Sequence, residues 1–143
     1  MHLTGQAAPL REGDLAVVRE VVPATVAKDP VVRQRIAQSV IELEALKLHS
    51  LHVLTKVQRG EELGFESSMT KLQWSETHQD IGEVYMDVVG PDGWTSRSSD
   101  SSKGHELYPL QESALWSRSE TIWGGSSQVQ RNIVAEHVLG LPR

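Results

Sequence analysis

Residues 119–143 read SETIWGGSSQVQRNIVAEHVLGLPR, and this stretch decides the fold. A two-glycine turn, Gly124-Gly125, runs into the pair Ser126-Ser127 and then into an amphipathic helix expected over 127–139. Glycine tolerates backbone angles that other residues resist, so the chain can approach a ligand closely here. Ser127 stands where it would cap the helix, and Gln130 follows three residues later, the spacing of a capping box. Free N–H groups and the positive end of the helix dipole would then face whatever lies before the turn, a place suited to phosphate. A well-capped terminal helix without any ligand is the plainer reading of the same residues.

Working back along the chain, a third helix is expected over about 109–122. The serine-rich segment 94–106 reads as an exposed loop. A long helix starting near Ser67 or Ser68 would bury Met69, Leu72, Ile81, Val84, Tyr85, Val88 and Val89 and end at Gly90-Pro91-Asp92-Gly93. Before it, Asp29-Pro30 is a strong helix start, a capping aspartate followed by proline in the first turn. Val32, Ile36, Val40, Leu43 and Leu46 recur at three and four and form one apolar stripe. Ile41, Leu48, Leu51 and Leu54 widen the stripe, which predicts packing on more than one neighbour. Arg59-Gly60 is the expected stop. Residues 1–28 read as a loose arm with a short helix from Leu15 to Val22, interrupted by Pro23. Long helices, short connections and no alternating strand pattern predict an all-α chain. The architecture expected is an antiparallel four-helix bundle over 29–143.

Composition narrows the function classes. The chain has 143 residues, enough for one domain with a real core. A net charge of −5 argues against a nucleic-acid binder. The absence of cysteine excludes disulfides and thiolate metal sites and fits a cytoplasmic location. No apolar run approaches the roughly 20 residues of a membrane span, and no signal peptide is visible.

The segment from Ile122 to Ile133, IWGGSSQVQRNI, followed by Ala135-Glu136 and the terminal LGLPR, resembles the C-terminal end of acyl-CoA dehydrogenases. DPVVRQRIA at 29–37, IELEAL at 41–46, KLQWSE at 71–76 and DVVGPDG at 87–93 resemble the same family in the same order. Residues 1–28 resemble it weakly or not at all. These are flavin enzymes that desaturate acyl-CoA thioesters between the α and β carbons. The resemblance implies the helical bundle and a place for FAD and an acyl-CoA. Family members are much longer, with an all-helical and a β domain before the bundle. The implied state is therefore one wall of the site, with FAD binding weak or absent in the chain alone. A homo-oligomer or a partner chain would supply the rest. A non-catalytic helical module for assembly, keeping the scaffold, is the alternative.

Carried over by position, Gly125 would lie against the thioester, and Ser126, Ser127 and Gln128 would contact FAD. Gly124 stands where one branch of the family carries the catalytic glutamate. Glycine has no carboxylate to remove a proton, so the catalytic base is unassigned. Asp14 and Glu20 are the acidic candidates on the short N-terminal helix. Asp87 and Gly90 fall where the family approaches the FAD of a neighbouring subunit. Many members carry Gln at the Asp87 position, and an ionised Asp can only accept.

His49 and His52 share a helical face, but no Glu-x-x-His pattern accompanies them and no metal is expected. Trp74, Trp94, Trp116 and Trp123 read as core or interface packing, with Trp123 also placed beside the implied cofactor.

Overall fold

The computed structural model describes residues 28–95 and 107–142. The short helix at 15–22, with Asp14 and Glu20, and residues 96–106 of the serine-rich segment lie outside the described residues. Four α-helices are present: α1 Pro30–Gln58, α2 Glu66–Val89, α3 Pro109–Glu120 and α4 Ser127–Leu139, with a 3₁₀ turn at Gly90–Trp94. No strand occurs among the described residues. The all-α four-helix bundle expected from the periodicity is the observed fold.

Helix α1 begins as its sequence dictates. Asp29 accepts the N–H of Val31 at 2.8 Å, and Pro30 occupies the first turn. It ends at Arg59, with Gly60 at φ 72° beyond. Helix α2 is the hub, packed against α1, α3 and α4. Its Ile81, Val84, Tyr85, Met86 and Val88 form the core with Ala114 of α3, and Val32, Ile36, Val40 and Leu43 of α1 close over them. Met69, expected inside, is exposed, and Met86 was missed.

The wide stripe of α1 does not find a second large neighbour among the described residues. Ile41 is 61% and Leu48 66% exposed, with Leu51, Leu54 and Val57 open as well. One packed helix covers one face only, and this stripe is wider than a face.

At Gly82 the helices α2 and α3 touch backbone to backbone. A Cβ there would lie 2.9 Å from Ala114 Cα. The neighbouring residues at this crossing are small: Ser75 and Ser117 are fully buried, their hydroxyls bonded to their own helices at Leu72 O and Ala114 O. Buried Gln111, in the first turn of α3, donates to Gly93 O at 2.6 Å and Thr95 O at 3.0 Å, and so ties α3 to the 3₁₀ turn.

Helix α2 starts at Glu66, ahead of the serines expected to open it. Glu66 is buried because the Lys56 ammonium of α1 pairs with it, and the Gly64 N–H donates to it at 2.7 Å. The hydrogen bond from Lys56, then those from the backbone, hold the carboxyl at about 2 against an ordinary 4.5. A depressed carboxylate stabilises the fold above its unfolded value, and that contribution fades as pH falls. Stability should therefore decline between pH 4.5 and about 2. Lys56→Met should flatten this part of an acid denaturation profile. An unchanged acid limb in the variant would show that the pair is not responsible.

Candidate functional site

Between α3 and α4 the chain turns through Gly124 at φ 64° and Gly125 at φ 96°. Both lie in the region that favours glycine. They differ in what surrounds them. A Cβ on Gly124 would meet nothing within 4 Å, whereas one on Gly125 would lie 2.7 Å from Gln130 Nε2.

The cap sits one residue earlier than the spacing implies. Ser126, not Ser127, is the N-cap, and its Oγ accepts the N–H of Val129 at 3.3 Å. Ser126 has the extended angles a cap needs, φ −62° and ψ 162°. Ser127 is the first helical residue, buried, with its N–H donated to Thr121 O at 3.1 Å. Gln130 makes no capping box. It donates from Nε2 to Gly124 O at 2.9 Å, and that bond takes it away from the helix start. Ser126→Ala should cost about 1 kcal/mol of unfolding free energy, and Ser127→Ala should not show a cap loss. The reverse order in urea titrations would overturn this assignment.

Among the described residues, the N–H groups of Gly124, Gly125, Ser126 and Gln128 take no protein acceptor. The turn thus presents donors at the positive end of a 13-residue helix. Beside it lies an open hollow of about 350 Å³, lined by Leu107, Glu112, Leu115, Trp116, Ser119 and Trp123. Trp116 and Trp123 meet edge to face, 5.4 Å between centroids. These two rings and Trp94 are exposed rather than buried in the core, while Trp74 is half-buried against His78. A flat apolar group in the hollow and a polar, electron-rich group at the turn would both find complementary surface.

Two side-chain pairs brace the turn from behind. Glu120, the last residue of α3, is 1% exposed. His78 Nδ1 of α2 lies 2.6 Å from its Oε2, and His78 Nε2 lies 2.9 Å from Ser113 Oγ. An ionised carboxylate can only accept, so with Glu120 charged the Nδ1 carries the proton. On the far side, Arg131 of α4 pairs with Glu76 of α2. The sequence pattern gave no sign of the His78–Glu120 contact, because the partners are 42 residues apart.

Asp87 and Gly90 are not brought to this turn. Lys71 of α2 touches Gly125, and Asp87 lies sixteen residues further along the same helix, roughly 24 Å away. Asp87 pairs with Arg35 of α1, and Gly90 ends α2 at φ 67°. His49 lies 3.3 Å from Glu66 O, and His52 is exposed. No group of three or more His, Cys, Asp or Glu able to hold a metal occurs among the described residues, and no described helix is long and apolar enough to cross a membrane.

Residues 11–139 match the family of the acyl-CoA dehydrogenase C-terminal domain. The chain is 39% identical over 117 residues to acyl-CoA dehydrogenase IpdE1 of Mycolicibacterium smegmatis, an alignment covering 82% of this chain and 27% of that protein. The chain thus spans about a quarter of the curated relative it matches. Among solved structures it resembles the Tcur3481-Tcur3483 steroid ACAD at 29% identity and TM-score 0.68, over 92% of this chain and 33% of that one. The ChsE4-ChsE5 complex of Mycobacterium tuberculosis shares the fold at TM-score 0.71 and 24% identity, over 92% of this chain and 35% of that one.

Proposed function

The chain belongs to the acyl-CoA dehydrogenase family, as its C-terminal domain, and from this we propose that it forms one wall of an FAD site in an enzyme that desaturates an acyl-CoA thioester. The observation that carries the reading is the row of unaccepted N–H groups at the mouth of α4, next to an apolar hollow bounded by Trp123. The residues fit the cofactor: donors for oxygen atoms and flat aromatic surface for a ring system.

Ser126 and Gln128 would hold FAD through backbone N–H groups and, for Ser126, the rim hydroxyl. Ser127 would contribute least, since it is buried and its N–H is already bonded. Gly125 would lie against the thioester. When bound, FAD supplies the acceptor for a hydride from the β carbon. Gly124 has no group to take the α proton, so the base stands elsewhere, with Asp14 and Glu20 as acidic candidates of this chain and a partner chain as the other source. Asp87 and Gly90, far from the turn, would serve a second cofactor site across a subunit contact. One relative is a steroid ACAD, which supports a bulky polycyclic acyl group as substrate.

The test is a chimera in which this chain replaces the matching part of the M. smegmatis relative. It should purify with bound flavin and reduce a dye with a steroid acyl-CoA, while the 143-residue chain alone should do neither. A folded chimera without flavin would refute the reading.

A second reading rests on the open apolar stripe of α1, where Ile41, Leu48, Leu51, Leu54 and Val57 are all more than half exposed. Apolar surface of this kind drives association, with a second copy or a partner chain. Light scattering after size exclusion should show a dimer or larger species, and Leu48→Glu should reduce it to monomer. A wild-type monomer at high concentration would remove this reading.

A further inference from the structure

We propose that Gln130 is a positioning residue that sets which way the Gly124–Gly125 peptide of the glycine turn faces, with Lys71 holding the next peptide beside it. This rests on the reading of the turn as a ligand site. Every described peptide is trans, and in a trans peptide the C=O and N–H point in opposite directions. Gln130 Nε2 holds the Gly124 carbonyl at 2.9 Å, which turns the N–H of Gly125 away from Gln130. Lys71 Nζ holds the Gly125 carbonyl at 2.7 Å, which turns the N–H of Ser126 away from Lys71. These are two of the N–H groups left without a protein acceptor. Turning over the Gly124–Gly125 peptide reverses only angles of two glycines, which have little steric reason to keep one orientation, so the Gln130 tether decides it. Turning over the Gly125–Ser126 peptide would carry Ser126 from φ −62° to positive φ, so there Lys71 reinforces what Ser126 already favours. A released peptide can turn over and put a carbonyl oxygen where an N–H had been, which would repel the electron-rich group the turn is built to receive.

Two details favour a built device over incidental contacts. Gln130 is 6% exposed, and its Oε1 is buried with no partner. A buried orphan acceptor is costly, yet turning the amide over would set oxygen against the Gly124 carbonyl. The Gly124 bond therefore fixes the amide, and the orphan is its consequence. Lys71 is a cation beside the positive end of α4, and among the described residues no carboxylate pairs with it. That unbalanced positive charge is relieved when an anion arrives.

The experiment uses the 143-residue chain labelled for NMR, with residual dipolar couplings reading the N–H directions and pyrophosphate as the probe. Gln130→Leu, which changes no charge, should alter the Gly125 N–H coupling and weaken pyrophosphate binding by roughly tenfold. Lys71→Met should leave the Ser126 coupling in place, because Ser126 at φ −62° resists the flip by itself. Should Gln130→Leu fail to fold, the nearly isosteric Gln130→Met carries the test by itself. An unchanged Gly125 coupling in a folded Gln130 variant would overturn the proposal. Couplings that change as expected, with wild-type amides indifferent to pyrophosphate, would uphold the positioning and reject the ligand site.

Discussion

Glu120→Ala should destabilise the domain by about 3–5 kcal/mol, an unpaired buried imidazole N–H and a cavity together, the largest single-site loss expected here. The substitution leaves His78, 8% exposed at its side chain, buried without its acceptor and opens a cavity beneath the turn. It also frees the last residue of α3, from which the glycine turn departs. Glu120→Gln keeps an oxygen in the same place and should lose about 1–2 kcal/mol. A domain of this size has about 5–15 kcal/mol in total, so the alanine variant should be near the edge of folding at ambient temperature. A double-mutant cycle with His78→Ala apportions the pair: the two changes together should cost much less than their sum. Additive losses would mean that His78 and Glu120 stabilise the fold separately, and the brace as described would not exist.

Gly82→Val should lower stability by about 3 kcal/mol and the melting temperature by roughly 10 °C. The cause is contact, not backbone strain. The first added carbon would sit 2.9 Å from Ala114 Cα and 3.0 Å from its Cβ, and the branched methyls would lie in the same crossing. Helix backbone cannot yield as a flexible side chain can, so α3 must move away from α2 and the core around Ile81 and Val84 must loosen. Gly82→Ala gains about 1 kcal/mol of helix propensity against the same first contact, and should fall between wild type and valine. A valine variant melting with the wild type would mean that the helices do not approach this closely.

The fold was legible because its signals are local. Asp29-Pro30 and Arg59-Gly60 bound α1, and Gly90-Pro91 ends α2, each by backbone chemistry that needs no distant partner. The apolar periodicity placed Ile81, Val84, Tyr85 and Val88 in the core correctly. Boundaries failed where a tertiary contact took over. Helix α2 begins at Glu66 because Lys56 of another helix makes burial of its carboxylate favourable. Helix α3 stops at Glu120, short of Ile122, at the residue that His78 holds. The cap moved from Ser127 to Ser126 because Gln130, read as a capping partner, bonds instead to the Gly124 carbonyl.

The candidate site was legible at its glycine turn and opaque around it. Two adjacent glycines before a helix announce unusual backbone, and the structure puts both at positive φ. Most of the residues that brace them come from α2 and α3, and nothing in the spacing of Lys71, His78 or Glu120 marks them. The tryptophans were read as core or interface packing, and three of them are outside the core: Trp94, Trp116 and Trp123 are exposed, two of them around the hollow beside the turn.

The measurement that bears most directly on the account is an NMR titration of the 143-residue chain with FAD, followed residue by residue. Shifts should concentrate on the amides of Gly124, Gly125, Ser126 and Gln128 and on the indole of Trp123, at weak affinity. Shifts scattered over surface cations such as Lys28 and Arg33 on the other side of the sequence, with the glycine turn silent, would contradict it.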